Sequence, residues 1–171
     1  EYQCALMAPT EILAKQHYNL VKKIFPKNLN VSILTGKTDI KEKKKILKDL
    51  KNKKIDLIIG THSLFQNKTL FGKLGLVIVD EQHKFGVKQR MNLAKKGGDN
   101  CDVLLMSATP IPRTMMMTIY GDLDVSQISE KPKGRKNIIT LSKPEEKINE
   151  LWPLIKKNIK EKNQVFWVCP L

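Results

Sequence analysis

Short apolar runs alternate with lysine-rich amphipathic segments along the chain, and this alternation limits the fold more than any other feature. The runs 2–8, 30–36, 55–60, 76–81, 102–108 and 124–128 have the length and apolar content of strands. Between them, 10–25, 39–52, 87–97 and 111–120 read as helices, and a short helix is expected near Ser63. Thr10 reads as the cap of the first helix, with an apolar stripe of Leu13, Leu20, Val21, Ile24 and Phe25. Asp39 and Glu42 are spaced as a capping box for the second. Strands apolar on both faces and separated by helices predict a parallel sheet with helices on both sides, an α/β fold.

The polar stretch 129–136, with Pro132 and Gly134, interrupts this pattern and reads as a connection. The expected organisation is a first domain over 1–130, a linker over 131–136 and the start of a second α/β unit over 137–171. That unit would hold a strand at 137–141, a helix at about 144–161 kinked or redefined by Pro153, and the strand-like run QVFWVCPL. The chain opens on a strand-like run without an initiator methionine and closes on another, which reads as an internal segment of a longer protein.

Ligands of an open parallel sheet bind beyond the carboxyl ends of its strands. Each strand here ends in small, hydroxyl or charged residues: Ala8-Pro9-Thr10, Thr35-Gly36, Gly60-Thr61-His62, Asp80-Glu81-Gln82-His83 and Ser107-Ala108-Thr109. Any one of these suits an ordinary turn. In a parallel sheet all of them share one edge, and that edge is the expected functional surface. The strand LVIVDE carries the most information, because an uncompensated carboxylate at a core boundary costs several kcal/mol. An apolar strand ending in Asp has the shape of a Walker B segment, in which the Asp holds Mg²⁺ on nucleotide phosphates. A following Glu can polarise the attacking water. The bland reading is a solvated strand end. Gly36-Lys37-Thr38 imitates the end of a phosphate-binding loop, but the position five residues before Gly36 is Val31, inside a strand, so the loop is not there.

The formal net charge of +14 suits a polyanionic partner such as nucleic acid, although a lysine-rich composition alone gives the same surplus. The three cysteines, Cys4, Cys101 and Cys169, have no metal-site spacing and fit a reducing, cytoplasmic location. No apolar run reaches the ~20 residues of a membrane-spanning helix, so no membrane partner is expected.

Taken in order, MAPTEILAKQH, GTHSLF, VIVDEQHKFGVKQR, MSATPIPRTMMMTIYGDLDVS and KPKGRK resemble the helicase core of the RecG family of bacterial ATP-dependent DNA helicases. The terminal QVFWVCPL resembles the first segment of that family's second motor domain. The resemblance spans essentially the whole chain. It implies a superfamily 2 motor with RecA-like domains of the P-loop NTPase type, here without the N-terminal P-loop strand, and with ATP bound between two such domains. It also implies that Asp80 holds Mg²⁺ through its water shell, that Glu81 is the catalytic base, and that Gln82 and His83 couple the nucleotide site to the rest of the motor. Ser107, Ala108 and Thr109 would link hydrolysis to movement of DNA. Pro9, Thr10 and Glu11, then Thr35 and Gly36, then Thr61 and His62, would touch the backbone of one DNA strand. The implied partner is branched DNA, including stalled forks and Holliday junctions, and the implied state is a monomeric motor.

Some residues are read more plainly. His17 sits beside an apolar stripe and reads as packing, Met115-Met116-Met117 as core or interface filling, and the lysine-rich helix as a solvated face. Lys84 departs from the Arg expected in DEQHKFG, and Lys cannot form a bidentate fork. Two other readings stay open: a transcription-repair coupling translocase of the same motor type, which shares the ATPIPRT and FGV features, and a non-enzymatic basic nucleic-acid-binding module. Lacking a phosphate loop and a complete second domain, the chain by itself is expected not to hydrolyse ATP.

Overall fold

The apolar runs become strands where their backbones pair; the central strands are covered on both faces, while the strand Asp102–Leu105 at the sheet edge keeps Val103 and Leu104 exposed. The computed structural model describes residues 2–86, 92–93, 95–98, 101–109, 124–130, 134 and 138–169. The chain divides into two units, Glu1–Asp124 and Val125–Leu171, so the division falls a few residues before the expected boundary at 130.

In the first unit the elements run β1 (Gln3–Met7), α1 (Glu11–Ile24), β2 (Val31–Leu34), α2 (Ile40–Lys51), β3 (Leu57–Gly60), β4 (Leu74–Val79) and β5 (Asp102–Leu105). Short 3-10 turns follow β3 at His62–Phe65 and β4 at Gln82–Lys84. The strands form one five-stranded sheet in the order β2-β3-β1-β4-β5. Every pairing is parallel. The chain leaves β1 toward β2 and β3 on one side, then returns to β4 on the other. The β1/β4 boundary is therefore the switch point, where open parallel sheets bind ligands.

Successive side chains of a strand point to opposite faces, and on β1, β3 and β4 both faces are filled. Ala5, Met7, Ile58, Val77 and Val79 pack with Ile46 and Leu50 of α2. Leu6, Ala8, Leu57 and Ile59 pack with Ala14 of α1, with Leu13, Tyr18 and Val21 around it. Each fully covered Ile or Leu contributes about 1.5–3 kcal/mol.

The face α1 turns to the sheet is not the stripe read from the sequence. Leu13 and Val21 do pack, but Leu20, Ile24 and Phe25 are exposed. The sheet meets the 13-14-18-21 face, and helix periodicity alone does not say which of two overlapping stripes a neighbour will cover. Thr10 caps the helix by accepting from Leu13 N at 3.3 Å, and Pro26 follows its end. The Asp39 carboxylate caps α2 at Lys41 N.

At the opposite edge, buried Gln3 ties the start of the sheet together. Its Nε2 donates to Leu50 O and Ile55 O at 2.9 and 2.7 Å, and its Oε1 accepts from Gly72 N and Lys73 N at 2.8 and 3.0 Å. That uses the full hydrogen-bonding capacity of the amide.

Several expectations need correcting. Residues 124–128 form no strand, and neither do 138–141 nor 164–169. A strand requires a neighbour for its backbone N–H and C=O groups, and no strand is formed among the described residues of the second unit. Ile138, Ile139, Leu141, Phe166 and Val168 are accordingly exposed. What forms there is a 3-10 segment, Glu145–Glu150, running into α3 (Leu151–Lys160). Pro153 lies in the first turn of α3, where its missing N–H breaks no helical bond, so it marks the start of the helix and does not kink its interior. The rings of Trp152 and Trp167 stack at 5.6 Å. Of the helix expected at 87–97, residues 92–93 and 95 are helical and the rest is outside the described residues or in a turn, with Gly98 at φ +72°. The helix expected at 111–120, with its methionine run, lies outside the described residues.

Candidate functional site

Because all the strands are parallel, their C-terminal ends gather on one edge, and backbone bonds extend the ladder into the loops. Ala8 N donates to Gly60 O, Asp80 N to Met7 O and Met106 N to Val79 O, each at 2.9 Å. Gln82 N reaches across to Met106 O at 3.0 Å. The segment 80–83 is thereby stitched between the ends of β1 and β5. Gly60 permits the close approach of β3 to β2, since a Cβ there would lie 2.3 Å from Leu34 O.

Asp80 stands at the switch point with both oxygens engaged. Oδ1 accepts from Glu81 N at 2.9 Å, and Oδ2 lies 2.7 Å from Nε2 of His17 on α1. A carboxylate of this kind only accepts, so the imidazole N–H donates. The sequence alone reads His17 as packing. The histidine is instead the side chain that meets the most informative carboxylate of the sequence. The available signal was a polar residue on the face of α1 that carries Leu13, Ala14 and Val21.

Glu81 follows in a left-handed conformation, φ +48° and ψ 54°. A non-glycine residue there costs about 1–2 kcal/mol. Its Oε2 is shielded from solvent and has no hydrogen-bond partner. His83 Nδ1 lies 3.4 Å from it, within ion-pair reach of a protonated imidazole but without hydrogen-bond geometry. Gln82 is buried, and His83 is exposed. Phe85 closes the segment, with its ring 5.6 Å from His62 and 6.0 Å from Phe65. This aromatic contact joins the loop after β4 to the loop after β3.

The other predicted residues line the same edge. Ser107 Oγ lies 3.1 Å from Thr109 Oγ1 and accepts from Thr109 N at 3.3 Å, closing a small turn around Ala108. Pro9 is half-buried and Thr10 is exposed at the head of α1. Glu11 Oε1 accepts from Lys37 N at 3.2 Å, and its Oε2 faces Lys37 Nζ at 3.5 Å. The carboxylate thus joins two of the predicted contact segments while Lys37 offsets its charge. Thr35 and Thr61 are buried, so Gly36 and His62 are the exposed members of their pairs. Thr35 N donates to Thr38 Oγ1 at 2.9 Å, so Gly36-Lys37-Thr38 closes on itself as a local turn.

Among the described residues no group of three or more His, Cys, Asp and Glu side chains is placed to hold a metal ion. That excludes an all-protein cage there, but such a cage is not how magnesium binds at nucleotide sites. Mg²⁺ keeps several waters and takes one or two carboxylates together with substrate phosphates. A single oriented Asp80 beside the unpartnered Glu81 Oε2 fits that requirement.

The family model for DEAD/DEAH box helicases matches residues 1–118. The chain belongs to the DEAD/DEAH box helicase family. Within this helicase family it is 47% identical over 170 residues to the ATP-dependent DNA helicase RecG of Streptococcus pneumoniae, covering 99% of this chain and 25% of that protein. It is 48% identical over 171 residues to RecG of Thermotoga maritima, covering 99% of this chain and 22% of that one. A solved structure of RecG bound to a three-way DNA junction is 44% identical, with a TM-score of 0.78 over 99% of this chain and 23% of that chain. This chain therefore spans about a quarter of the length of these relatives.

Proposed function

We propose that this chain carries the Walker B half of the nucleotide site, and part of the DNA track, of an ATP-dependent DNA helicase that unwinds and remodels branched DNA, including stalled forks and Holliday junctions, in repair and recombination. The observation that carries this reading is the placement of Asp80 and Glu81 at the switch point of a parallel sheet, with the other motif segments along the same edge. Similarity over 99% of this chain to RecG proteins, and to a RecG structure on a three-way junction, supports the choice of substrate.

In this reading the cofactors are ATP and Mg²⁺, and the metal when bound neutralises charge on the phosphates. Asp80 would hold the metal through its water shell. Glu81 takes a proton from the attacking water through the oxygen that has no partner in this structure. Gln82 and His83 sense the nucleotide, and buried Gln82 passes its position to β5 through Met106 O. Ser107, Ala108 and Thr109 begin the link to DNA movement. Pro9, Thr10, Gly36 and His62 line the path of one DNA strand, whose backbone suits N–H and hydroxyl donors without regard to base sequence, with buried Thr35 and Thr61 supporting them and Glu11 tying Lys37 to the same edge. The intact protein works as a monomer in the bacterial cytoplasm, and the net charge of +14 on this 171-residue chain adds to its attraction to DNA.

The test is strand displacement from a three-way junction by the intact protein. Displacement requires ATP and Mg²⁺, while the 171-residue chain alone turns over no ATP because no P-loop signature stands in its sequence. DNA-stimulated hydrolysis by the chain alone, or ATP-independent displacement by the intact protein, refutes the reading.

A further inference from the structure

None of the roles above uses His17, yet His17 makes the shortest contact to Asp80. The two side chains are only 26% and 19% exposed, and their atoms meet at 2.7 Å across 63 residues of sequence. The terminal torsion of an Asp carboxylate is broad and soft. Here it is held from two directions, by the imidazole N–H at Oδ2 and by Glu81 N at Oδ1. A carboxylate oxygen offers about two acceptor positions, so each still has one to give to a metal-bound water.

We propose that His17 is the positioning residue that sets the plane of the Asp80 carboxylate for a hydrated divalent cation on the nucleotide. The inference rests on the reading of Asp80 given above. It also gives α1 two jobs. The head of α1 carries Thr10 and Glu11 toward the DNA edge, and two turns later, roughly 10 Å along the axis, the same helix grips the metal carboxylate. A shift of α1 on the sheet cannot occur without turning Asp80 or breaking this bond. Partners that orient a metal ligand from outside typically change metal affinity by about 10–100-fold when removed.

Two substitutions in the intact protein separate donation from shape. His17→Phe keeps a planar ring and removes the N–H. His17→Gln keeps an N–H donor on a different frame. The readout is binding of a fluorescent non-hydrolysable ATP analogue as Mg²⁺ is raised, with binding in EDTA and thermal melting recorded alongside. His17→Phe is expected to raise the Mg²⁺ concentration for half-maximal binding at least tenfold while leaving metal-free binding unchanged, and His17→Gln to stay within threefold of the parent. The proposal is overturned if His17→Phe stays within twofold, or if a folded His17→Gln is as impaired as His17→Phe. Should His17→Phe fail to fold, His17→Gln compared with the parent and with His17→Ala decides on the same criteria. Asp80→Ala is the control on the underlying reading. If it leaves the Mg²⁺ dependence intact, Asp80 is not the metal carboxylate and both claims fall. If it abolishes the dependence while His17→Phe does not change it, only the role of His17 is lost.

Discussion

Glu81 combines a strained backbone with a carboxylate oxygen that nothing satisfies, which predicts that it is held for chemistry at the expense of stability. Its φ of +48° costs about 1–2 kcal/mol relative to an ordinary helical or extended residue. The shielded, unpartnered Oε2 costs about 1 kcal/mol more, the low end of the usual range because the side chain is 30% exposed. Glu81→Gly relieves both. Glycine gives back about 0.5–1 kcal/mol through its freedom in the unfolded chain, and the loss of the His83 contact removes at most about 1 kcal/mol. The net expectation is a gain of about 1 kcal/mol, or roughly fivefold slower exchange of the most protected amides. Asp80 N, bonded to Met7 O, is the reporter, read by native-state hydrogen exchange on the intact protein. Glu81→Gln, which keeps backbone and shape, should leave exchange near the parent value. Both variants should lower DNA-stimulated ATP turnover by at least about 10²-fold, from loss of the general base. Faster exchange in Glu81→Gly would show that the left-handed turn is not strained. Near-normal turnover in Glu81→Gln would remove Glu81 from the role of base.

Two further predictions concern the scaffold. Gly60→Ala drives a methyl group to 2.3 Å from Leu34 O, so β2 and β3 must separate, at a cost of about 1–3 kcal/mol seen as a lowered melting temperature; an unchanged melting temperature would show that the strand pair yields freely. Burial, and secondarily the nearby Cys101, raises the Cys4 thiol from an ordinary 9.0 to about 11. Alkylation of Cys4 at pH 8 should therefore run roughly 100-fold slower than that of a cysteine of ordinary acidity in the unfolded chain. Because the folded state holds this proton more tightly, Cys4 contributes stability that is full below pH 9.0 and is lost as pH rises toward 11. Equal alkylation rates in native and denatured protein, followed by mass spectrometry, would contradict the burial.

The parallel sheet was legible because its strands are apolar on both faces and separated by helices, and Asp80 and Glu81 stood out as carboxylates beside a run that had to be buried. The second unit was less legible for a physical reason. Runs such as 138–141 and 164–169 have strand composition, but composition supplies no partner for their backbone, and α3 is the regular element that satisfies its own hydrogen bonds. The buried face of α1 departs from its apolar stripe at Leu20, Ile24 and Phe25 because amphipathic spacing shows that a helix has an apolar side without showing which part of it a sheet will meet.

By itself, then, the sequence determined the class of fold, the edge on which its polar residues converge and the carboxylate pair at the centre of that edge. All three follow from local periodicity and the cost of burying charge. The order β2-β3-β1-β4-β5, the meeting of Glu11 with Lys37 and the grip of His17 on Asp80 arise from long-range packing. Those contacts depend on how α1 lies across the sheet, and packing of the Ala14 face against Leu6 and Ile59 sets that, not any spacing along the chain.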